Sequence, residues 1–206
     1  MILLKAYGDK KMIINYQKKT IQIKMVYFGP AMSGKTTTLK TLMAAFGQES
    51  EMQSIETSTG RTLVFDFGTL MITGKEWNIK ILLLTATGQD FYASTRPATI
   101  EMVDGIIFVV DSQRKYIEEN KRSWQELFLY FGQRLYDLPL VVALNKQDLP
   151  ETISEEEFRA DFNVKSFKSY KILKTVAKDR ESGVLNSFKY LLKFIFPTIQ
   201  VSSEVT

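Results

Sequence analysis

The chain has 206 residues, of which 45% are hydrophobic and 24% charged, values typical of a soluble globular protein of one domain. It contains no cysteine and no histidine, which excludes disulfides, thiolate metal sites, a cysteine nucleophile and histidine-based acid–base catalysis. The formal net charge is only +4, and no zinc-finger spacing or repeat of aromatic and basic residues indicates nucleic-acid binding.

Basic residues concentrate near the amino terminus, where Asp9 is the single acidic residue among the first forty. A solvated edge is the plainer interpretation, and a weak attraction to anionic lipid or nucleic acid is the alternative. No apolar run is long enough for a membrane span, and Ile2 and the cysteine-free end exclude the common lipid anchors. We therefore expect a cytoplasmic protein. We also expect residues 1–20 to add an edge strand or hairpin, 21–197 to form one domain, and 198–206 to be a polar tail.

Strand-like and helical runs alternate along the chain, which predicts an α/β fold with a mostly parallel sheet. Apolar or alternating runs predict strands over residues 21–28, 62–67, 77–84, 105–111, 138–144 and 170–175. Helices are predicted over residues 36–46, near 90–102, over 112–132, from 154 onward and over 184–196. The polar residues 47–60 are expected to form an exposed loop, and the connection containing Gly68 and Gly74 to join two antiparallel strands.

A glycine-rich loop follows the first strand of the predicted domain. Residues 29–36 read Gly-Pro-Ala-Met-Ser-Gly-Lys-Thr, which fits G-x-x-x-x-G-K-S/T between a strand and a helix. Gly29 and Gly34 allow the backbone to wrap around an anion, and the helix start adds its positive end. We expect Lys35 to reach the β- and γ-phosphates and the Thr36 hydroxyl to bind Mg²⁺. The other candidates for this phosphate site are Ala31, Met32, Ser33 and Thr37.

A second motif, Asn145-Lys146-Gln147-Asp148, directly follows the predicted strand 138–144. Ligand-binding groups in such folds lie at the carboxyl ends of strands. The Asp148 carboxylate can accept hydrogen bonds from N1–H and the 2-amino group of guanine. Adenine offers neither and would leave that carboxylate without a partner. The two motifs together predict GTP or GDP as the ligand, whereas ordinary turns are the alternative at each position.

The two motifs make the chain similar to the Ras-like small GTPases, in particular to the bacterial gliding-motility (MglA-type) GTPases and their archaeal relatives. The resemblance reaches residue 150, and beyond the two motifs it is carried by Arg61-Thr62-Leu63, Phe65-Asp-Phe67, Gly88-Gln89, Phe91-Tyr92, Val103-Asp-Gly105 and Asp111-Ser-Gln113. It implies a phosphate-loop G domain: a mostly parallel sheet with one antiparallel strand and helices on both faces.

The same resemblance implies roles for two segments that would sense the γ-phosphate. Thr62 would bind Mg²⁺ and the γ-phosphate, with Thr57 and Thr59 as competing candidates. Arg61 would be an internal arginine finger or else a solvated loop residue. In the second segment, the Gly88 amide would donate to the γ-phosphate and Gln89 would orient the attacking water.

Two positions depart from the Ras pattern, and two further assignments remain open. Thr85 stands where the Asp-x-x-Gly motif has its aspartate, which leaves the affinity for Mg²⁺ open. Ala31 stands where glycine is common, so we expect slow hydrolysis. Asp111 is either a turn residue or a Walker B carboxylate. In the segment 175–177, Val176 and Ala177 are candidates for the guanine ring, with the Ala177 amide donating to guanine O6 or Ala177 simply packing.

The sequence therefore predicts a GTP-binding switch that hydrolyses GTP slowly and rearranges residues 50–62 and 86–102 when the γ-phosphate leaves. The resemblance implies a regulator of the Roadblock/LC7 fold, and Phe91-Tyr92 is either its docking element or part of the core. A GTP-binding module without hydrolysis is one alternative. An ATP-dependent kinase or ATPase with the same phosphate loop is another.

Overall fold

The computed structural model describes residues 2–7, 10–56, 64–86 and 102–197. The predicted helix near residues 90–102 lies almost entirely outside these ranges, as do Phe91-Tyr92 and the tail 198–206.

The described residues form one nine-stranded sheet and four α-helices. The strands are β1 Ile2–Tyr7, β2 Lys10–Asn15, β3 Thr20–Phe28, β4 Met52–Glu56, β5 Val64–Thr73, β6 Asn78–Ala86, β7 Gly105–Asp111, β8 Leu140–Asn145 and β9 Tyr170–Lys174. The helices are α1 Lys35–Ala45, α2 Ile117–Phe131, α3 Glu155–Asp161 and α4 Leu185–Ile195.

The sheet has the order β4-β5-β6-β3-β7-β8-β9. Strands β6, β3, β7, β8 and β9 pair in parallel, whereas β5 pairs antiparallel with both β6 and β4. This arrangement confirms the predicted fold class. It also brings the carboxyl ends of β3, β7 and β8 to one edge of the sheet, where ligands bind in such folds.

Strands β1 and β2 form an antiparallel hairpin that joins the sheet through β2 and β3. Strand β2 pairs with residues 20–22 of β3, and β7 pairs with residues 25–28. Because β6 pairs along all of β3, β2 lies on the same edge of β3 as β7. The hairpin therefore does not extend the outer strands β4 or β9.

Helices cover both faces of the sheet and bury two separate apolar clusters. Along β3, Met25 and Tyr27 belong to the cluster under α1 and α4, whereas Val26 and Phe28 belong to the cluster under α2 and α3. This alternation follows from the two-residue period of a strand. Helix α4 contributes apolar residues at helical spacing, namely Phe188, Leu191, Leu192 and Ile195.

Two predictions about the antiparallel half of the sheet were wrong. Residues 52–56 of the expected loop form β4, whose backbone pairs with β5 from Met52↔Gly68 to Glu56↔Val64. Gly68 was expected in the connection but lies inside β5, opposite Leu83 on its other side. Glycine is disfavoured in strands, on a scale that spans about 1 kcal/mol. The backbone pairing on both sides of Gly68 offsets this cost.

The helix predicted over 112–132 begins later than expected, at Ile117. The Arg114 amide donates to the Glu151 carbonyl at 3.0 Å, and Gln113 forms an isolated bridge with Thr152. These residues therefore join β7 to the loop after β8. The predicted strand 105–111 matches β7, and the helices predicted over 36–46 and 184–196 match α1 and α4 to within one residue.

Candidate functional site

The glycine-rich loop connects the end of β3 to the start of α1, and its two glycines are required by geometry. Gly29 has a φ of 150°, and a Cβ there would lie 2.2 Å from the Val109 carbonyl oxygen. Gly34 has a φ of 103°, and a Cβ there would lie 2.3 Å from Asn145 Nδ2. Both positions combine a left-handed backbone with a close approach that only glycine allows.

Helix α1 begins at Lys35 without a capping side chain and without an acidic residue in its first turn. Backbone amides at a helix start have no intrahelical acceptor, and the helix dipole adds positive potential there. This end of α1 is therefore suited to bind an anion such as phosphate.

The Lys35 ammonium group lies within the loop, where it donates to the carbonyl oxygens of Gly29 at 3.0 Å and Pro30 at 2.7 Å. Ser33 is fully buried, and its hydroxyl has no hydrogen-bond partner among the described residues. Three further residues of the predicted phosphate site are exposed, namely Ala31, Met32 and Thr37. The loop thus combines buried polar groups with an open outer face.

A buried carboxylate that the sequence analysis passed over lies beside Thr36. The Thr36 hydroxyl donates to Asp66 Oδ2 at 2.5 Å, and Asp66 is only 4% exposed. The Thr85 hydroxyl accepts from the Asp66 amide at 2.9 Å and lies 3.4 Å from Asp66 Oδ2. A carboxylate of the neighbouring strand β5 therefore lies beside Thr85, the position where the Asp-x-x-Gly motif has its aspartate.

The sequence carried one signal for this carboxylate. Asp66 is a single charged residue between Phe65 and Phe67, which is unusual for a strand that enters a core. The pairing Phe67↔Leu84 places Asp66 beside Thr85. Only this register, which the sequence does not reveal, brings the carboxylate to the position of the missing aspartate.

The second motif is joined to the first through Asn145, which ends β8 and is 1% exposed. Its Nδ2 donates to the Ser33 carbonyl oxygen at 2.7 Å. Its Oδ1 accepts from the Ala177 amide at 2.8 Å and from the Thr175 hydroxyl at 3.3 Å. One side chain thus ties together the glycine-rich loop, the loop after β8 and the loop after β9.

The Val176 and Ala177 amides have acceptors within the protein, and the predicted donation from the Ala177 amide to guanine O6 stays a prediction. A backbone N–H donates one good hydrogen bond, and the acceptor of the Ala177 amide is Asn145 Oδ1. The amide of Val176 donates to the Ser182 carbonyl at 2.9 Å. In this structure the segment 175–177 positions Asn145.

Lys146 and Asp148 occupy the loop that follows Asn145. The Lys146 ammonium group pairs with Asp111 Oδ2 at 2.6 Å, and the Asp111 side chain is 4% exposed. Of the two interpretations of Asp111, this pairing favours a structural partner of the second motif over a Walker B carboxylate. Asp148 is exposed in the same loop.

Four predicted site residues, Arg61, Thr62, Gly88 and Gln89, lie outside the described residues, together with Thr57 and Thr59. Within the described ranges, no three acidic side chains come together as a metal site. A magnesium ion at this site would instead be held by the Thr36 hydroxyl and phosphate oxygens, the hard oxygen ligands that Mg²⁺ prefers, with the Asp66 carboxylate hydrogen-bonded to that hydroxyl.

Comparison with known families decides the class of protein. The family model described as "ADP-ribosylation factor family" (Arf) matches residues 10–195. The chain belongs to this family of small GTPases. The match spans the glycine-rich loop, the Asn-Lys-Gln-Asp motif and all four described helices, and it confirms the predicted small-GTPase fold.

Two relatives illustrate the range of the family. The chain is 33% identical over 193 residues to the "Mutual gliding-motility protein MglA" of Myxococcus xanthus, covering 91% of this chain and 97% of the relative. It is 27% identical over 159 residues to the "ADP-ribosylation factor-like protein alp41" of Schizosaccharomyces pombe, covering 76% and 77%. The similarity to MglA-type GTPases is therefore confirmed, and a GTP-binding switch is the function that this family supports. Across the described ranges, no helix is long and apolar enough to cross a membrane.

Proposed function

We propose that this GTPase binds GTP with Mg²⁺ in one cleft at the carboxyl ends of β3, β7 and β8 and hydrolyses it slowly to GDP and phosphate. One observation carries the proposal: the Asn145 side chain is hydrogen-bonded to the Ser33 carbonyl at 2.7 Å. This contact holds the predicted guanine-binding loop against the predicted phosphate loop, so one nucleotide can reach both.

The phosphate half of the nucleotide would bind to the amides of residues 31–37 and to the Lys35 ammonium group. The carbonyl oxygens of Gly29 and Pro30 hold that ammonium group inside the loop, so little side-chain freedom is lost when a phosphate binds. The guanine half would pair with the Asp148 carboxylate.

The residues beside Thr36 fit a magnesium ion. The ion would neutralise charge between the β- and γ-phosphates, and Thr36 would bind it directly. Asp66 accepts a hydrogen bond from the Thr36 hydroxyl and would orient that hydroxyl so that its oxygen lone pairs face the ion. Thr62 would complete the binding when GTP is present.

We assign catalysis to Gln89 and Arg61. Gln89 would orient the attacking water, Gly88 would donate its amide to the γ-phosphate, and Arg61 would neutralise the charge of the transferring phosphoryl group. A slow intrinsic rate is expected because the Ala31 methyl group would crowd the space beside the γ-phosphate. Loss of that phosphate would release the contacts that order residues 50–62 and 86–102.

A protein regulator would read these two segments and stimulate hydrolysis. We propose a small regulator of the Roadblock/LC7 fold, because the chain resembles the MglA-type GTPases that work with such proteins. A GTP-binding module with negligible hydrolysis is the second candidate, and Ala31, whose methyl group would crowd the space beside the γ-phosphate, favours it.

Single-turnover hydrolysis separates the two candidates. We expect wild-type protein loaded with GTP to convert it slowly, and Gln89→Leu to convert it at least about tenfold more slowly, since a residue that positions the nucleophile contributes factors of that size or more. Equal and negligible rates for both proteins would leave only the binding module. Nucleotide binding, measured on the same samples, shows that both proteins are loaded.

A further inference from the structure

Asp111 and Lys146 form an ion pair beside the predicted guanine-binding loop. We propose that Asp111 is a positioning residue for the base half of the nucleotide site, which it controls by holding Lys146. This inference rests on the proposed function, because it concerns how firmly the guanine-binding loop is held.

The carboxylate of Asp111 is buried, and each of its two oxygens has a partner. Asp111 ends β7, and its side chain is 4% exposed. Oδ2 lies 2.6 Å from Lys146 Nζ, and Oδ1 accepts from the Gln113 amide at 3.2 Å. A buried carboxylate that is charged needs such partners, so Lys146 is held strongly at this point.

The backbone of Asp111 is itself fixed by a side chain from α2. Asn120 is fully buried, and its Oδ1 accepts from the Asp111 amide at 3.1 Å. Its Nδ2 donates to the Asp111 carbonyl at 2.8 Å. Asn120 thus forms hydrogen bonds with both backbone groups of Asp111 at the end of the strand. These bonds fix the backbone from which the Asp111 side chain extends.

Lys146 needs this support because its backbone is in an unfavourable conformation. Its φ is 65°, in the left-handed region that residues other than glycine rarely adopt. The Tyr116 ring lies 5.8 Å from its ammonium group and adds a weaker, aromatic contact. The ion pair therefore helps to hold the backbone turn between Asn145 and Asp148.

The position of the pair determines which half of the nucleotide it affects. The register of β7 and β8 places Asp111 opposite Asn145, whereas the predicted phosphate contacts come from the loop after β3. Loss of the Asp111 charge would loosen the loop that carries Asp148 and leave the phosphate loop in place. The effect should therefore be independent of the γ-phosphate and of Mg²⁺.

The test measures dissociation constants of GDP and GTP, each with Mg²⁺ and with a chelator. We expect Asp111→Asn to weaken binding by about tenfold in all four conditions, the effect of losing a hydrogen bond to a charged group. A purely structural ion pair would lower thermal stability without this uniform loss. Asp137→Asn is the matched control, since Asp137 pairs with Lys168 at 2.5 Å on an exposed surface and should leave binding unchanged.

A double mutant shows that Asp111 acts through Lys146. Asp111→Asn/Lys146→Gln should bind no more weakly than Lys146→Gln alone, and this comparison also serves if Asp111→Asn alone does not fold. The proposal would be overturned if Asp111→Asn bound nucleotide as tightly as the wild type, or if its loss of affinity differed between GDP and GTP or disappeared without Mg²⁺. It would also be overturned if the losses of the two single variants added up in the double mutant. Failure of the wild-type protein to bind any guanine nucleotide would instead overturn the proposed function.

Discussion

Thr36, Asp66 and Thr85 come from three different elements and share one buried polar cluster at the carboxyl end of β3. The carboxylate of this cluster is on β5, and the hydroxyl it contacts begins α1. A negative charge is retained near the predicted magnesium site, although the sequence has threonine at the position where an aspartate is usual. We therefore expect the Asp66 carboxylate to contribute to magnesium binding in the way that an aspartate at position 85 would.

Asp66→Asn removes the charge beside Thr36, and we expect the apparent affinity for Mg²⁺ to fall by about 10- to 100-fold, as is typical when an outer-shell partner of a metal ligand is lost. The release rate of fluorescent GDP, measured against Mg²⁺ concentration, reports this affinity without any contribution from hydrolysis.

Asp104→Asn provides the matched control for this experiment. Asp104 is also buried, at 8% exposure, and accepts a hydrogen bond from the Lys24 amide at 2.8 Å, at the opposite edge of the sheet. The Asp104→Asn substitution should leave the dependence of GDP release on Mg²⁺ concentration unchanged. An Asp66→Asn protein with the wild-type response to Mg²⁺ would show that Asp66 serves only the fold.

At the scale of elements, β4 is the described strand that lies within one of the two segments proposed to rearrange when the γ-phosphate leaves. Its residues 52–56 pair with β5 on one side and end the sheet on the other. They also belong to the segment 50–62, which we propose to rearrange with the γ-phosphate. An outer strand is held by only one ladder of hydrogen bonds, so it opens at a lower free-energy cost than a central strand.

We therefore expect the amides of β4 to exchange with solvent at different rates in the GDP-bound and GTP-analogue-bound protein. Hydrogen exchange followed by mass spectrometry resolves this segment. Strand β8, buried along its whole length, serves as the internal reference and should exchange equally slowly in both states. Identical exchange of β4 in the two states would exclude it from the switch.

The contrast between β4 and the other elements shows what the sequence could predict. Strand β7 and helix α4 were predicted because the strand is a nearly unbroken apolar run and one face of the helix is apolar, and the structure buries every residue of that strand. Strand β4 has no such pattern: Gln53 is exposed and only the backbone pairing with β5 defines the strand. The position of Asp66 beside Thr85 depends on the strand register, and the contact between Ala177 and Asn145 depends on the acceptor of a single amide. No spacing in the sequence encodes either.

At the scale of the whole molecule, the sheet order places the two sequence motifs side by side. They are separated by more than 100 residues in the chain, but β3 and β8 are both neighbours of β7, so their carboxyl ends are close. Asn145 then closes the remaining gap with its hydrogen bond to Ser33. The central claim is that this junction forms one site for a guanine nucleotide.

Competition between nucleotides for the nucleotide-free protein tests this claim most directly. We expect GTP to displace a fluorescent guanine nucleotide at concentrations at least about 100-fold lower than ATP, because adenine would leave the Asp148 carboxylate unpaired. Asp148→Asn should remove most of this preference. Equal competition by ATP, or a preference that Asp148→Asn does not change, would contradict the account.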